Sequence, residues 1–299
     1  MPARLNRREF IAAIVRAAIG CHVFTGDTAD VSTGVDRLLD RMARTQPPAA
    51  RYEPAPFRDT RCYIEPTDKV LRAWQGTVSA VYDVYCQPFD GAVPGAAMDV
   101  NALAFVEWME WMDHLDLYDA SFTRLEASQC FLWARMRSID DGSMRARMKT
   151  THLCLEDFYE ALVRVATTAC LPSYEMIRAR ALAIGITEEL ADLSHEALCR
   201  GETATDAGEC RLYMLQHEPS AYARFVAQCA ATDRHPDAPL REPVEVLLAK
   251  LLAVIVRIIE HGAARSHDQA RSSLAHAPGL GIEEVTRFRA RKNDRRLRS

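Results

Sequence analysis

Residues 9–18 read EFIAAIVRAA and residues 157–166 read DFYEALVRVA, and the two stretches share one frame. In both, an acid and Phe are followed by two variable residues, Ala, Ile or Leu, Val, Arg, a variable residue and Ala. Apolar residues at this spacing are typical of an amphipathic helix. The frame predicts that the two helices are copies of one repeat. Residues 103–112, LAFVEWMEWM, are a fainter third copy.

The same helical periodicity extends along most of the 299 residues, whereas strand-type alternation never exceeds four residues. We therefore predict an all-α fold. Five prolines between residues 45 and 66 predict an extended connector there, because proline cannot continue a helix. Helices are predicted at about 8–24, 35–42, 67–86, 99–114, 122–137, 155–170, 173–185, 188–199, 209–231 and 242–262. The predicted domains are 1–172, a helical domain; 173–262, a C-terminal helical region; and 263–299, a flexible linker and basic tail.

Composition narrows the classes of protein. An apolar content of 48% argues against global disorder, and a net charge of −4 argues against a nucleic-acid polycation. The nine cysteines are an odd number without a C-x-x-C pair, so neither a disulfide framework nor a zinc ribbon is expected, and the compartment is predicted to be reducing. The most apolar stretch, 246–259, is interrupted by Lys250 and Arg257, so no membrane span is expected.

Catalytic motifs are missing from the sequence. It contains no G-x-S-x-G, H-E-x-x-H, Walker A or G-x-G-x-x-G pattern. We therefore expect no enzyme, no catalytic or cofactor-binding residue and no small-molecule substrate. A nucleophile–base pair assembled only by the fold is the alternative.

The acid-Phe frame also matches the end of an EF-hand loop, in which the last calcium ligand is an acid. A twelve-residue loop ending at Asp157 would begin at Ala146 and place Met148 and Thr150 at its third and fifth positions. Ala146 and Met148 carry no side-chain oxygen, and no Gly occupies the sixth position. Calcium needs six or more oxygen ligands, so no metal site is predicted.

Three stretches carry a resemblance to a known family: FRDTRCYIEPTDKVLRAWQGTVSAVYDVY at 57–85, FVEWMEWMDHLDLYD at 105–119 and LCLEDFYEALVRVA at 153–166. Together with the helix after Ser121, they resemble the degenerate EF-hand-like helical proteins of eukaryotic cilia and flagella. The resemblance covers about residues 8–172. It implies calmodulin-like helix pairs without functional calcium loops. It also implies a non-enzymatic axonemal protein of the cytoplasmic cytoskeleton, bound to tubulin in doublet microtubules, on their surface or in their lumen, and to neighbouring axonemal proteins.

An acidic row is the first feature that bears on partners. Glu107, Glu110, Asp113, Asp116 and Asp119 recur every three residues, with tryptophans and methionines between them. At 3.6 residues per turn such a row drifts around the helix but stays contiguous. It is either a solvated face over an aromatic core or a docking surface for a basic partner. Glu107, Glu110 and Asp113 are the candidates for partner binding.

The basic C-terminus is the second such feature. Residues 287–299 hold seven basic residues and one acid, so their net charge is +6. Because the net charge of the whole chain is −4, the other residues together carry −10. Such a segment is expected to stay unfolded alone and to act as an interaction arm. It would suit the acidic surface of tubulin or another polyanion; a solubilising tail is the alternative. The candidate residues are Arg287, Arg289, Arg291, Lys292, Arg295, Arg296 and Arg298.

Two other functions stay open at this stage. One is a calmodulin-like adaptor that grips a partner helix in a flagellar complex. The other is a mitochondrial or RNA-associated helical protein, because Arg4, Arg7, Arg8 and Arg16 surround the first apolar segment as in some mitochondrial presequences. Nucleic acid is not the expected partner, given the net charge.

Overall fold

The computed structural model describes residues 7–44, 54–88, 101–135, 151–185, 207–232, 240–263 and 280–298. The chain divides into two compact units, residues 1–47 and residues 48–299. Helices account for most of the described residues, which confirms the all-α class. None of the described helices is both long enough and apolar enough to cross a membrane.

The first unit is a pair of helices. α1, Arg7–Ala18, continues as a π-helical turn at Ile19–Val23, and α2 is Val31–Arg44. The two helices pack against each other. Ala18 is buried, but Phe10 is 53% exposed, so the acid-Phe start that this helix shares with residues 157–158 is not part of a core. The described residues do not test whether α1 and the helix at 157–170 are copies of one repeat.

The second unit begins with short helical elements where an extended connector was predicted. α3 is Pro54–Phe57, and a π-helical turn follows at Arg58–Cys62. The predicted connector at 45–66 is therefore wrong over these residues. Proline lacks only an N–H that the first helical turn leaves unbonded, so two prolines near the start do not prevent a short helix.

Two helices replace the single one predicted at 67–86. α4 is Glu65–Ala73 and α5 is Gln75–Tyr85. The chain leaves the helical region at Trp74, whose φ is −103° and ψ is 9°. Trp74 itself is buried, and α5 buries Val78, Val81 and Tyr85 from this bend onward. The bend lets α5 turn its apolar face toward the core independently of α4.

Three short strands form an antiparallel sheet in the order β1–β2–β3. β1 is Gln87–Pro88, β2 is Asn101–Ala104 and β3 is His152–Leu153. Leu103 pairs with Leu153, and both side chains are fully buried. The strands are too short to show the alternation that would have predicted them.

A helix follows each of the paired strands β2 and β3 directly. α6, Phe105–Leu115, follows β2, and α8, Leu155–Thr168, follows β3, with α7, Arg124–Ala134, preceding the β3 segment. In the described part of the chain, β1 and β2 thus lie between α5 and α6, and β3 lies between α7 and α8. Residues 103–112, the fainter copy in the sequence, cover the end of β2 and the first eight residues of α6, whereas residues 157–166 lie wholly within α8.

Five further helices complete the described chain: α9, Tyr174–Ala183; α10, Ala207–His217; α11, Pro219–Thr232; α12, Val244–Ala263; and α13, Ile282–Arg298. Every residue from 246 to 256 in α12 is buried. α12 packs against α4, α6, α8, α10 and α13, so the predicted boundary at residue 172 does not separate compact units. The helix predicted at 188–199 lies outside the described residues.

Lys250 is the charged residue in the middle of α12, and it is fully buried. Its Nζ lies 2.6 Å from each carboxylate oxygen of Glu242 and donates to the Pro172 carbonyl oxygen at 2.9 Å. A buried ammonium group is tolerated only when it is paired and hydrogen-bonded in this way. The contact also ties α12 to the segment after α8.

The predicted flexible tail is corrected by the structure, because α13 contains residues 287–298 as helix. Val285 and Phe288 are buried, and Gly262 lies so close to Phe288 that a Cβ there would be 2.5 Å from its ring. The prediction of a flexible tail was wrong because it considered only the repulsion among the basic residues of 287–299, and not their pairing with acids elsewhere in the chain. The compensating acids lie far away in the sequence.

Candidate interaction surface

The structure brings the acidic row of α6 together with basic residues of α13. Arg289 donates to Glu110 through Nε, 3.1 Å from Oε1, and through Nη2, 2.7 Å from Oε2. Its Nη1 donates to the Val84 carbonyl oxygen at 2.6 Å, and its guanidinium carbon lies 4.8 Å from the centre of the Tyr85 ring. Two residues predicted to bind a partner therefore bind each other.

A chain of hydrogen bonds extends from this ion pair into the core. Asn293 Nδ2 donates to Glu110 Oε1 at 3.1 Å, and its Oδ1 lies 3.1 Å from His114 Nε2. An amide oxygen can only accept, so Nε2 carries the imidazole proton. His114 Nδ1 then accepts from the Tyr85 hydroxyl at 2.8 Å. Both ring nitrogens of this buried histidine are thus satisfied.

The surroundings set the charges of this chain. Burial alone would raise the pKa of Glu110, but the hydrogen bonds from Arg289 and Asn293 hold that pKa below its usual value. Burial lowers the pKa of His114, although the nearby Glu110 carboxylate acts in the opposite direction. At neutral pH the carboxylate is charged and the imidazole is neutral, as the hydrogen-bond directions require.

Asp113 joins three helices through one carboxylate. Its Oδ1 accepts from Arg124 of α7, and its Oδ2 accepts from Arg296 of α13. Burial would raise the pKa of Asp113, but the hydrogen bonds from the two arginines lower it. Two more of the residues predicted to bind a partner, Asp113 and Arg296, therefore bind each other.

The other predicted acid, Glu107, is half-buried near the start of α6. Its Oε2 atom is buried and has no hydrogen-bond partner among the described residues. Because the Glu107 side chain is only partly exposed, the structure does not favour it as a contact for an external partner.

The other basic residues of α13 differ in their surroundings. Arg287 pairs with Glu284 at 3.0 Å, and Arg291 Nη1 donates to the Gly262 carbonyl oxygen at 3.0 Å. Lys292 Nζ lies 5.6 Å from the centre of the Phe288 ring, and Arg295 is exposed. The side chain of Arg298 lies outside the described part. The outer face of α13 is thus less basic than its sequence suggests.

A buried ion cluster was missed by sequence reasoning. Glu160 of α8 is fully buried and accepts from Arg58 Nε at 2.7 Å and from Arg164 Nη2 at 2.7 Å. The Arg164 guanidinium carbon lies 4.0 Å from the centre of the Phe57 ring. The only available signal was an acid one turn before an arginine on an apolar helix. The cluster attaches the short helical segment 54–62 to α8.

The buried thiols do not resemble catalytic nucleophiles. Burial raises the pKa of Cys62, Cys86, Cys130 and Cys154 to about 12. These thiols stay protonated at neutral pH, whereas a nucleophilic cysteine needs a lowered pKa. Within the described ranges, no group of three His, Cys, Asp or Glu side chains could hold a metal ion.

The candidate calcium loop can be followed only at its end. Ala146, Met148 and Thr150 lie outside the described residues. Asp157, at the last position, is buried, and its Oδ2 accepts from the Cys154 backbone N–H at 3.3 Å. The carboxylate therefore caps the N-terminus of α8.

Comparison of the chain with protein-family models, curated proteins and solved structures finds no match.

Proposed function

We propose that this protein is a non-enzymatic structural component of the flagellar axoneme, associated with doublet microtubules on their surface or in their lumen. Its partners in this proposal are tubulin and neighbouring axonemal proteins. The proposal rests on the resemblance of residues 8–172 to degenerate EF-hand-like ciliary proteins. The geometry of the second unit supports that resemblance in three respects.

The pairing of Leu103 with Leu153 is the observation that carries the proposal. Each leucine precedes an acid by four residues, Glu107 in one copy and Asp157 in the other. In a twelve-residue EF-hand loop ending at that acid, the leucine occupies the eighth position. The resemblance to paired EF-hands implies that the two loops meet at this position. This strand register supports the proposal of a degenerate EF-hand pair.

Both loops lack side-chain oxygens at the first and third ligand positions. The frame that ends at Glu107 begins at Ala96 and has Met98 and Val100 at its third and fifth positions, none of which carries a side-chain oxygen. The frame that ends at Asp157 has the same defect at its first and third positions. A pair that keeps its packing without these oxygens fits a structural role better than calcium sensing.

The chain's own α12 packs on the helices that follow the strands. It contacts α6 and α8, and its middle is buried throughout. A calmodulin-like adaptor would instead leave an apolar groove open for a partner helix. The occupied position favours a static structural component over the adaptor alternative.

The location of a tagged copy in a flagellated cell tests the proposal. We expect the protein in the axoneme, retained after detergent extraction. A soluble protein that co-purifies with one partner helix would support the adaptor instead. A mitochondrial or RNA-bound protein would support the third alternative.

A matched pair of charge reversals tests the outer face of α13. Arg295→Glu changes an exposed residue of α13, and Arg224→Glu makes the same change on the exposed side of α11. If α13 contacts tubulin, Arg295→Glu weakens retention in the axoneme and Arg224→Glu does not. If both variants are retained in the axoneme equally well, α13 does not contact tubulin.

A further inference from the structure

The helix pair of the first unit has almost no core of its own. Among its described residues from 8 to 44, only Ala18, His22 and Gly34 are buried. The two helices do touch, since a Cβ at Gly34 would lie 3.5 Å from the Ala18 carbonyl oxygen. A folded unit of this size usually needs a cross-link or association with another surface to be stable. We therefore expect a further surface to pack on the pair.

Large apolar side chains are exposed on both helices of the pair. Phe10 and Ile11 of α1 are each 53% exposed, and Leu39 of α2 is 45% exposed. Phe24, beside the loop between the helices, is 84% exposed, and Val31, the first residue of α2, is 40% exposed. Several large apolar side chains on so short a segment indicate an interaction site rather than ordinary protein surface.

The face that two such helices present is large enough for a weak dimer. Residues 7–23, which are α1 and its π-helical turn, extend for about 25 Å at about 1.5 Å per residue. Two packed helices, each about 10 Å across, give a face about 20 Å wide. The face therefore measures about 500 Å², and two copies would bury about 1,000 Å², the lower limit of specific interfaces. A dissociation constant in the micromolar range is expected for an interface of this size.

The charges of the pair are divided between its ends. Residues 7–9 and 41–44, at the helix ends away from the loop, hold four arginines and one acid, a net charge of +3. Residues 24–36, the loop and the start of α2, hold three acids and no basic residue, a net charge of −3. Two pairs therefore attract each other when the loop end of one lies beside the free helix ends of the other, and repel in the reverse orientation.

We propose that the helix pairs of two copies of this chain pack face to face and form a four-helix dimer interface. The acidic loop end of each pair lies beside the basic free ends of the other. The interface covers Phe10, Ile11 and Leu39 and gives each pair the second layer that a helical core requires. Its occupant is a second copy of the chain, so this inference is independent of the proposed binding to tubulin.

Sedimentation of the full-length protein over a range of concentrations tests the proposal. Between about 1 and 100 μM, the mean mass should rise from the 33.5 kDa of one chain toward twice that mass. A protein that stays monomeric over this range would overturn the proposal, whether another protein or the chain itself covers the apolar face. The wild-type result decides even if a variant fails to fold.

Matched variants locate the interface. Ile11→Asp and Leu39→Asp should each weaken association by about tenfold or more, because each would bury an unpaired carboxylate. Val106→Asp makes a similar change at a valine of α6 that is 73% exposed, and it should leave association unchanged. Arg8→Glu should weaken association several-fold, because it places an acid beside the acidic loop end of the second copy. Dimers that form equally well in wild type, Ile11→Asp and Leu39→Asp would overturn the proposal.

Discussion

Arg289 binds Glu110 through two parallel hydrogen bonds across 179 residues of chain. Their side chains are 20% and 18% exposed, so the pair is largely removed from water. Bidentate pairs of this kind are stronger than exposed ion pairs. The contact compensates one of the seven basic charges of the segment and helps to hold it against α6 as a helix.

Replacing Arg289 by Gln should destabilise the protein. The change removes two charge-assisted hydrogen bonds and leaves Glu110 partly buried without its main partner. We expect the free energy of unfolding to fall by about 1.5–3 kcal/mol, measured by denaturant titration. Arg287→Gln is the matched control on the same helix. Its ion pair with Glu284 is about half exposed, so a loss below about 1 kcal/mol is expected. Equal losses would contradict the assigned role of Arg289.

Stability should fall in mildly acidic solution because of His114. Burial lowers the pKa of His114 in the folded chain, so the unfolded chain takes up this proton at higher pH. Above about pH 6.5, the usual pKa of histidine, the neutral His114 makes its full contribution to the stability of the folded chain. That contribution is lost as the pH falls from this value through the lower pKa that His114 has in the folded chain. The lowered pKa values of Glu110 and Asp113 have their effect only below about pH 4.5.

His114→Gln provides the control for this effect. Its amide oxygen can accept from the Tyr85 hydroxyl and its amide nitrogen can donate to Asn293, but it does not titrate. We expect the melting temperature of the wild type to fall between about pH 7 and pH 5.5, and that of the variant to fall less. The same slope in both proteins would exclude His114 as the cause.

Close packing between α10 and α12 should make Gly208 intolerant of a side chain. A Cβ at Gly208 would lie 2.6 Å from Arg257 Cβ and 2.7 Å from the Ala253 carbonyl oxygen. Gly208→Ala should therefore cost about 1–3 kcal/mol of unfolding free energy. At Gly76 a Cβ would meet nothing within 4 Å, so Gly76→Ala should be neutral or stabilise by up to about 1 kcal/mol. A neutral Gly208→Ala would show that the two helices are not in close contact.

The helical class could be predicted because amphipathic periodicity is a local property. Helix α8, for example, lies within one residue or two of its predicted limits. The break at Trp74 and the paired strands could not be predicted, since each involves only a few residues. Their conformation depends on packing against distant parts of the chain.

The candidate residues could be identified as charged groups, but not as partners of each other. Glu110 and Arg289 were both singled out by their charge patterns. Nothing in local sequence indicates that residues 179 positions apart meet. A faint signal was present in Val285 and Phe288, whose three-residue spacing is typical of a buried helical stripe. The high content of basic residues in 287–299 led instead to the prediction of an unfolded arm.

Calcium should leave the protein unchanged. The candidate loops have no side-chain oxygen at their first and third positions, and Asp157 already caps α8. We expect no heat of binding in calorimetry with micromolar calcium and no shift in helicity or melting temperature. A saturable calcium-binding isotherm would contradict the degenerate EF-hand interpretation.

Association with doublet microtubules tests the central claim most directly. Axonemes from cells with a tagged copy are extracted with detergent and then with high salt, which screens exposed charge contacts. Doublets are recovered by sedimentation and probed for the tag. The account predicts that the protein stays with the doublets through the salt step. Arg287, Arg289 and Arg296 of α13 already pair with acids of the chain, so the proposed binding would depend on shape and apolar contacts. Complete release with the detergent-soluble fraction would contradict it.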